Sequence, residues 1–271
     1  LSAVSPEGFA VVLLTPDGPP RPAELLVFDA AVRAGAGAAP LARAQGPAAT
    51  QHRLEVKGLQ PGHRYRYRLL LDGAAVTDGE VSTAPPLGAD RPLLIAVMGD
   101  ERGPDWGVSP YAPAVVGGVL SEGPDLVLGT GDLVAEGGDR RAWRQLMLSH
   151  GPMLAQLPYY PALGNHELIG DPTASGFRSL FPDAARGYYA VRYAQVLLLF
   201  LNGNRAGDPA QTAFLERELG RAAGDKGVRR RLVIMHHSPL SVSAHCGLAQ
   251  EMAPWIARFE RFGVDAVLSG H

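Results

Sequence analysis

A small all-β domain followed by a larger α/β domain is the fold class the sequence predicts, on three observations. The first 87 or so residues break into short runs of alternating polarity separated by turn residues. From Arg91 onward, apolar runs of strand length alternate with segments of helical period. Five of those apolar runs end in a glycine or in a residue of metal-ligand type. The length, 271 residues, agrees with two domains, since a single domain holds roughly 100–150.

In the first domain, residues 1–87, strands are expected over Ala10–Thr15, Glu24–Phe28, His52–Lys57, Tyr65–Leu71 and Glu80–Thr83. Pro16-Asp17-Gly18, Pro61-Gly62 and Asp72-Gly73 punctuate them. The run from Leu59 to Tyr65 has the spacing of a tyrosine corner, in which the phenol reaches back to the backbone. His52 and His63 read as surface strand residues rather than ligands. Residues 84–89, with two prolines, read as a short, stiff linker.

The second domain, residues 91–271, alternates strand and helix. Helices are expected over Ala112–Ser121, Asp139–Leu157, Pro209–Ala223 and Leu248–Phe262. Trp143, Leu146, Met147 and Leu154 form a core-facing stripe on the second of these, and Trp255 and Phe259 on the last. His150 reads as structural or exposed. Strands are expected over Leu93–Met98, Leu126–Leu128, Tyr159–Leu163, Tyr188–Tyr193, Gln195–Leu201, Leu232–Met235 and Val264–Leu268.

Composition narrows the function classes. A formal net charge of −2 gives no signal for nucleic acid or another polyanion. With 46% apolar residues, a core is assured. Lysine occurs only at Lys57 and Lys226, and the bias towards Arg, Ala, Gly and Pro points to a GC-rich bacterial genome. Cys246 is the one cysteine, so the 271 residues form no disulfide among themselves. No run approaches the ~20 apolar residues of a membrane span, and none of these 271 residues shows the basic-then-apolar pattern of a leader. The start at Leu1 and the stop at His271, inside an apparent motif, lead us to expect a longer natural protein.

The strand ends carry the chemistry. Gly99-Asp100, Gly131-Asp132, Gly164-Asn165-His166-Glu167, His236-His237 and Gly270-His271 each follow an apolar run. In an open α/β sheet, strand ends border the crevice where ligands bind. Oxygen and imidazole donors gathered there can hold a cation, and an imidazole beside them can protonate a leaving group.

In that order, these motifs resemble the calcineurin-like metallophosphoesterases. Leu59 to Tyr65, Tyr67 and Ser82-Thr83-Ala84-Pro85 resemble a fibronectin type III domain, which points to the purple acid phosphatase branch. The resemblance implies a four-layer αββα metallophosphatase sandwich holding one or two divalent or trivalent ions, with iron, zinc or manganese expected. It makes Asp132 the bridging ligand, Asp100 a ligand of the first ion, and Asn165, His236 and His271 ligands of the second. It implies that a hydroxide generated on the metals attacks phosphorus, that His166 protonates the departing alkoxide, and that Glu167 orients His166. The implied partner is a small phosphoester, an acid-phosphatase-like monoester being preferred. The alternatives are phosphodiester or nucleotide hydrolysis on the same site, or a catalytically impaired metal- or phosphate-binding protein. By family analogy the enzyme is exported, to the periplasm or outside the cell.

The pattern also fails in places. The first motif of the superfamily is Asp-x-His, and here its third position is Arg102. The tyrosine that purple acid phosphatases place three residues after the bridging aspartate is Ala135. A second histidine, two positions beyond the last motif's first, would lie past His271. A purple, tyrosinate-bound iron is therefore not expected. Arg102 either binds phosphate or pairs with Glu101 or Asp105. His237 either faces the pocket and contacts phosphate or packs beneath it. His245 either reaches the site from above or is a satisfied loop histidine.

Overall fold

Alternate residues of Gln51–Lys57 are buried, and that period of two is what builds the first unit. A computed structural model of the chain describes residues 1–15, 18–31, 39–103, 107–240 and 249–271. It separates into two compact units: Leu1–Pro86 with Pro152–Tyr159, and Leu87–Gly151 with Tyr160–His271.

The first unit contains β1 (Ser2–Ser5), β2 (Gly8–Leu14), β3 (Arg21–Asp29), β4 (Ala42–Ala49), β5 (Gln51–Lys57), β6 (Arg64–Leu71) and β7 (Ala74–Ser82). They form two sheets, β1-β2-β5 and β4-β3-β6-β7. Phe9 and Val11, Leu25 and Val27, Leu54 and Val56, and Tyr67, Leu69 and Leu71 are buried on alternate positions of their strands. His52 shares the inward face of β5 with Leu54 and Val56 and is itself buried, its Nε2 3.1 Å from the Ala49 carbonyl. The expectation of a surface histidine is thereby corrected: its place in the strand's alternation, not its polarity, decides its side. His63 is half-buried and lies 3.2 Å from Asp29.

The Gln60 amide donates to the Tyr65 hydroxyl at 2.8 Å, the backward reach that the spacing predicts. Tyr65→Phe keeps the buried ring and removes this partner. We expect a loss of about 1 kcal/mol in chemical denaturation, with no change in the spectrum of the folded state. Strand β4 was not expected, because its Ala, Arg, Gln, Gly and Pro residues carry little strand propensity. Among the described residues it pairs with β3 alone and sits at the sheet edge, where Pro47 is tolerated. Ala84 and Pro85, expected in a linker, are buried, and the Ala84 amide donates to the Ser5 carbonyl.

The chain continues with β8 (Ile95–Met98), α1 (Ala112–Glu122), β9 (Leu126–Gly129), α2 (Arg140–Leu154), β10 (Tyr159–Pro161) and α3 (Ser175–Leu180), all of the second unit except for residues 152–159. It continues with β11 (Tyr189–Tyr193), β12 (Val196–Leu201), α4 (Pro209–Gly224), β13 (Arg230–Met235), α5 (Ala249–Arg261) and β14 (Ala266–Ser269). Two sheets result, β10-β9-β8 and β11-β12-β13-β14. β8 and β9 run parallel through the crossover α1, and β12, β13 and β14 run parallel through α4 and α5. This is the αββα arrangement of the metallophosphatases, preceded by a small β unit.

Strand β12 is buried along its whole length, as a strand covered on both faces must be. Leu197, Leu199 and Leu201 pack with Leu215, Leu219, Met252, Trp255 and Phe259 of α4 and α5. From the neighbouring register, Phe200 meets the rings of Tyr160 and Tyr189. Tyr160 belongs to β10, so this contact joins the two sheets. The helix α3 was not expected, being one short turn-and-a-half with no long apolar period.

Candidate metal centre

The loops after β8, β9, β10, β13 and β14 deliver the site. Asp132 follows Gly131, whose φ of 98° is open to glycine alone, and Asp132 is itself left-handed at φ 56°. Asp100 and His271 share that conformation, with φ of 52° and 70°. Non-glycine residues in this region are held against a local penalty of order 1 kcal/mol, and such penalties gather at functional sites.

Asp132 is the hub. Its Oδ1 accepts the His166 amide at 3.0 Å. Its Oδ2 lies 3.1 Å from His236 Nε2, 3.3 Å from Arg102 Nε and 3.8 Å from His166 Nε2. No N–H among the described residues is aligned on that buried oxygen. His236 Nδ1 faces the Thr130 carbonyl at 2.9 Å, and a carbonyl only accepts, so a proton belongs on Nδ1. In the neutral ring, the form that binds a metal, the Nε2 lone pair faces Asp132 and His271.

His271 Nδ1 stands 3.0 Å from His236 Nε2, and the His271 amide donates to Asp100 Oδ2 at 3.0 Å. Donor atoms of Asp132, His236 and His271 lie within 4.8 Å of one another. The Asn165 side-chain oxygen is buried and has no hydrogen-bond partner among the described residues. Its neighbours on both sides touch Asp132, His166 through its amide and Gly164 by close backbone approach. Electron-pair donors facing each other at about 3 Å are stable around a cation; a tetrahedral zinc ion with bonds of ~2.0–2.1 Å spaces its ligands at roughly 3.3 Å. These donors therefore fit an ion.

The charges of Asp132 and His236 are mutually adjusted. Burial pushes the Asp132 carboxyl up, but the imidazole of His236 outweighs it and holds the carboxyl below its usual range. Burial pushes His236 down, and the Asp132 carboxylate more than reverses that.

Glu167 has a different place from the one expected. It is fully buried, and its carboxylate accepts amides from Gly164 at 2.7 Å, Asp132 at 3.1 Å, Leu133 at 2.7 Å and Val134 at 3.4 Å. Burial, with the nearby Asp132 charge, raises its pKa to about 7 against the pull of those amides. His166 is oriented instead by the Ala135 carbonyl, 2.7 Å from its Nδ1. The assignment of Glu167 as orienter is thus corrected: its oxygens are occupied by backbone of both ligand-bearing loops.

Arg102 pairs with Asp132 rather than with Glu101; Glu101 turns to His150 of α2, 2.5 Å away, and both are buried. Asp105 and His245 lie outside the described residues. His237 is buried, its ring 5.2 Å from that of His236 and 4.5 Å from that of His271. Two orienting groups, the Thr130 and Ala135 carbonyls, escaped the sequence reading because a backbone oxygen leaves no residue-type signature. Asn204, whose Nδ2 donates to the Gly164 carbonyl at 3.1 Å, was missed too. Its signal was available, since Asn202-Gly203-Asn204 also follows an apolar strand.

Gly164 offers a direct check of this packing. A Cβ there would sit 2.2 Å from Asp132 Oδ1 and 2.4 Å from the Asp132 amide nitrogen. Gly164→Ala is therefore expected to displace the hub carboxylate and lower bound metal at least tenfold at limiting concentration, as measured by equilibrium dialysis. Unchanged binding would mean that the two loops are not locked together.

Comparison with known proteins agrees with this fold. Among solved structures, a purple acid phosphatase from yellow lupin (Lupinus luteus) seeds superposes with a TM-score of 0.76 at 17% identity, over 99% of this chain and 56% of its own. PhoD superposes with a TM-score of 0.75 at 13% identity, over 99% of this chain and 69% of its own. The chain thus spans little more than half the length of the lupin enzyme. No curated protein matches it by sequence. Residues 93–271 match the calcineurin-like phosphoesterase family, and because that match runs from β8 through every strand end of the site, the chain belongs to this family.

Proposed function

We propose that this chain hydrolyses small phosphate monoesters with a bound divalent or trivalent ion, zinc, manganese or iron. One observation carries the reading: Asn165 Oδ1, Asp132 Oδ2 and the lone pair of His236 Nε2 are buried donors from three strand ends, with His271 Nδ1 beside them. Asn165, Asp132, His236 and His271 would hold the ion. When bound, it supplies Lewis acidity and brings the pKa of a coordinated water towards ~7.

The chain's own groups do the rest. His166 keeps Nδ1 on the Ala135 carbonyl, so Nε2 is the atom that can hand a proton to the departing oxygen. That requires the doubly protonated ring, whose Nε2 lies 3.8 Å from Asp132 Oδ2. Arg102, partly exposed beside Asp132, offers a planar fork of donors to the phosphoryl oxygens. His237 supports the imidazoles of the site and is the second candidate for a phosphate contact.

Residues 1–87 are read as a fibronectin type III-like domain on their strand order and the Tyr65 hydroxyl contact, and residues 91–271 as the catalytic domain. The pairing of such a domain with this fold favours an exported enzyme. No described helix is long and apolar enough to cross a membrane.

Full-length protein stripped with a chelator is expected to lose hydrolysis of an aryl phosphate monoester and regain it with zinc or manganese. The monoester rate should exceed the diester rate at least tenfold. Turnover indifferent to chelation would overturn the metal-dependent reading; a faster diester would overturn the monoester assignment alone. Metal binding without turnover of either substrate would favour a binding protein that kept the fold.

A further inference from the structure

Resting on the proposed hydrolytic reading, we infer that the guanidinium of Arg102 takes the place of a second metal ion, so that the centre pairs one ion with one arginine. Two-ion phosphoesterases share a carboxylate between cations ~3.5–4 Å apart. Here the hub oxygen, Asp132 Oδ2, has His236 Nε2 beside it at 3.1 Å and a fixed positive charge, Arg102 Nε, at 3.3 Å. His271 Nδ1 joins the first of these neighbours, 3.0 Å from His236 Nε2. The second already carries its own charge.

Among the described residues, the rest of that side agrees with this reading. Asp100 Oδ2 is engaged by the His271 amide. The Ala135 side chain offers no donor atom, and its carbonyl is used by His166. The Arg102 backbone is tied to the same hub, its amide donating to the Asp132 carbonyl at 3.3 Å, so its position is not the accident of a long side chain. A guanidinium stays protonated throughout the working pH range and never leaves with a chelator. It attracts the phosphoryl oxygens as an ion would, through directed N–H bonds, and cannot acidify a water as a coordinated metal does.

The test counts metal. Full-length protein, loaded with Zn(II) or Mn(II) and freed of excess, is expected to hold about one ion per chain by mass spectrometry. Arg102→Lys, which keeps a charge and offers no ligand, should also hold about one. Arg102→His, which supplies an imidazole beside Asp100 and Asp132, should move towards two. A parallel titration with inorganic phosphate should show at least tenfold weaker binding to the metal-loaded Arg102→Ala protein than to the unaltered one. Two ions in the unaltered protein, equal counts in it and Arg102→His, or phosphate affinity indifferent to Arg102→Ala would overturn the inference while leaving metal-dependent hydrolysis standing. No bound ion in any of these proteins would overturn the hydrolytic reading and this inference with it.

Discussion

Replacing His166 by alanine is expected to lower turnover of a phosphate monoester by about 10²- to 10⁴-fold, the usual contribution of a positioned general acid. Metal content should stay as it was, because the contact between His166 and the hub through its side chain is 3.8 Å, beyond hydrogen-bonding distance. The link that matters to the hub is the His166 amide on Asp132 Oδ1, which alanine retains. Substrates with good leaving groups, such as nitrophenolates, should suffer least, since their oxygen departs without a proton. Steady-state rates on aryl and alkyl phosphates, with metal analysis of both proteins, measure this. Equal losses on both substrates, or a parallel loss of metal, would remove the acid role from His166.

The second large effect is on the fold. Glu167→Ala is expected to cost about 3–5 kcal/mol, because four backbone amides from two loops lose a buried acceptor at once. The damage should spread to the site, since the Asp132 amide is one of the four. Chemical denaturation with metal-free protein checks the stability term, separating it from ligand stabilisation. Glu167→Gln keeps one acceptor oxygen but turns an NH₂ towards other amides, so it should recover only part of the loss. A neutral Glu167→Ala would mean that water replaces the carboxylate, and the loops would then owe their positions to packing.

The sequence shows the periodic parts of this molecule well. The apolar run Val196–Leu201 and the stripes of α4 and α5 carry enough period to be read without coordinates. The strand ends are legible for the same reason, as each motif follows such a run. Legibility fails where the deciding partner is distant or is backbone. Nothing near Glu167 in the chain reveals that its partners are the amides of residues 132–134, which arrive from another strand. The same limit hid the turn of Arg102 towards Asp132 instead of its neighbour Glu101. Strand β4 was hidden differently, by residues whose pairing is enforced by β3 and not by their own preference.

The left-handed backbone at Asp100 has a practical consequence for anyone improving this protein. Glycine at that position would relax the chain, by a fraction of a kcal/mol to about 1 kcal/mol, while deleting a carboxylate from the proposed centre. Directed evolution scored on heat tolerance alone would thus be rewarded for erasing the proposed chemistry, and libraries aimed at robustness should hold residues 100, 132 and 271 constant.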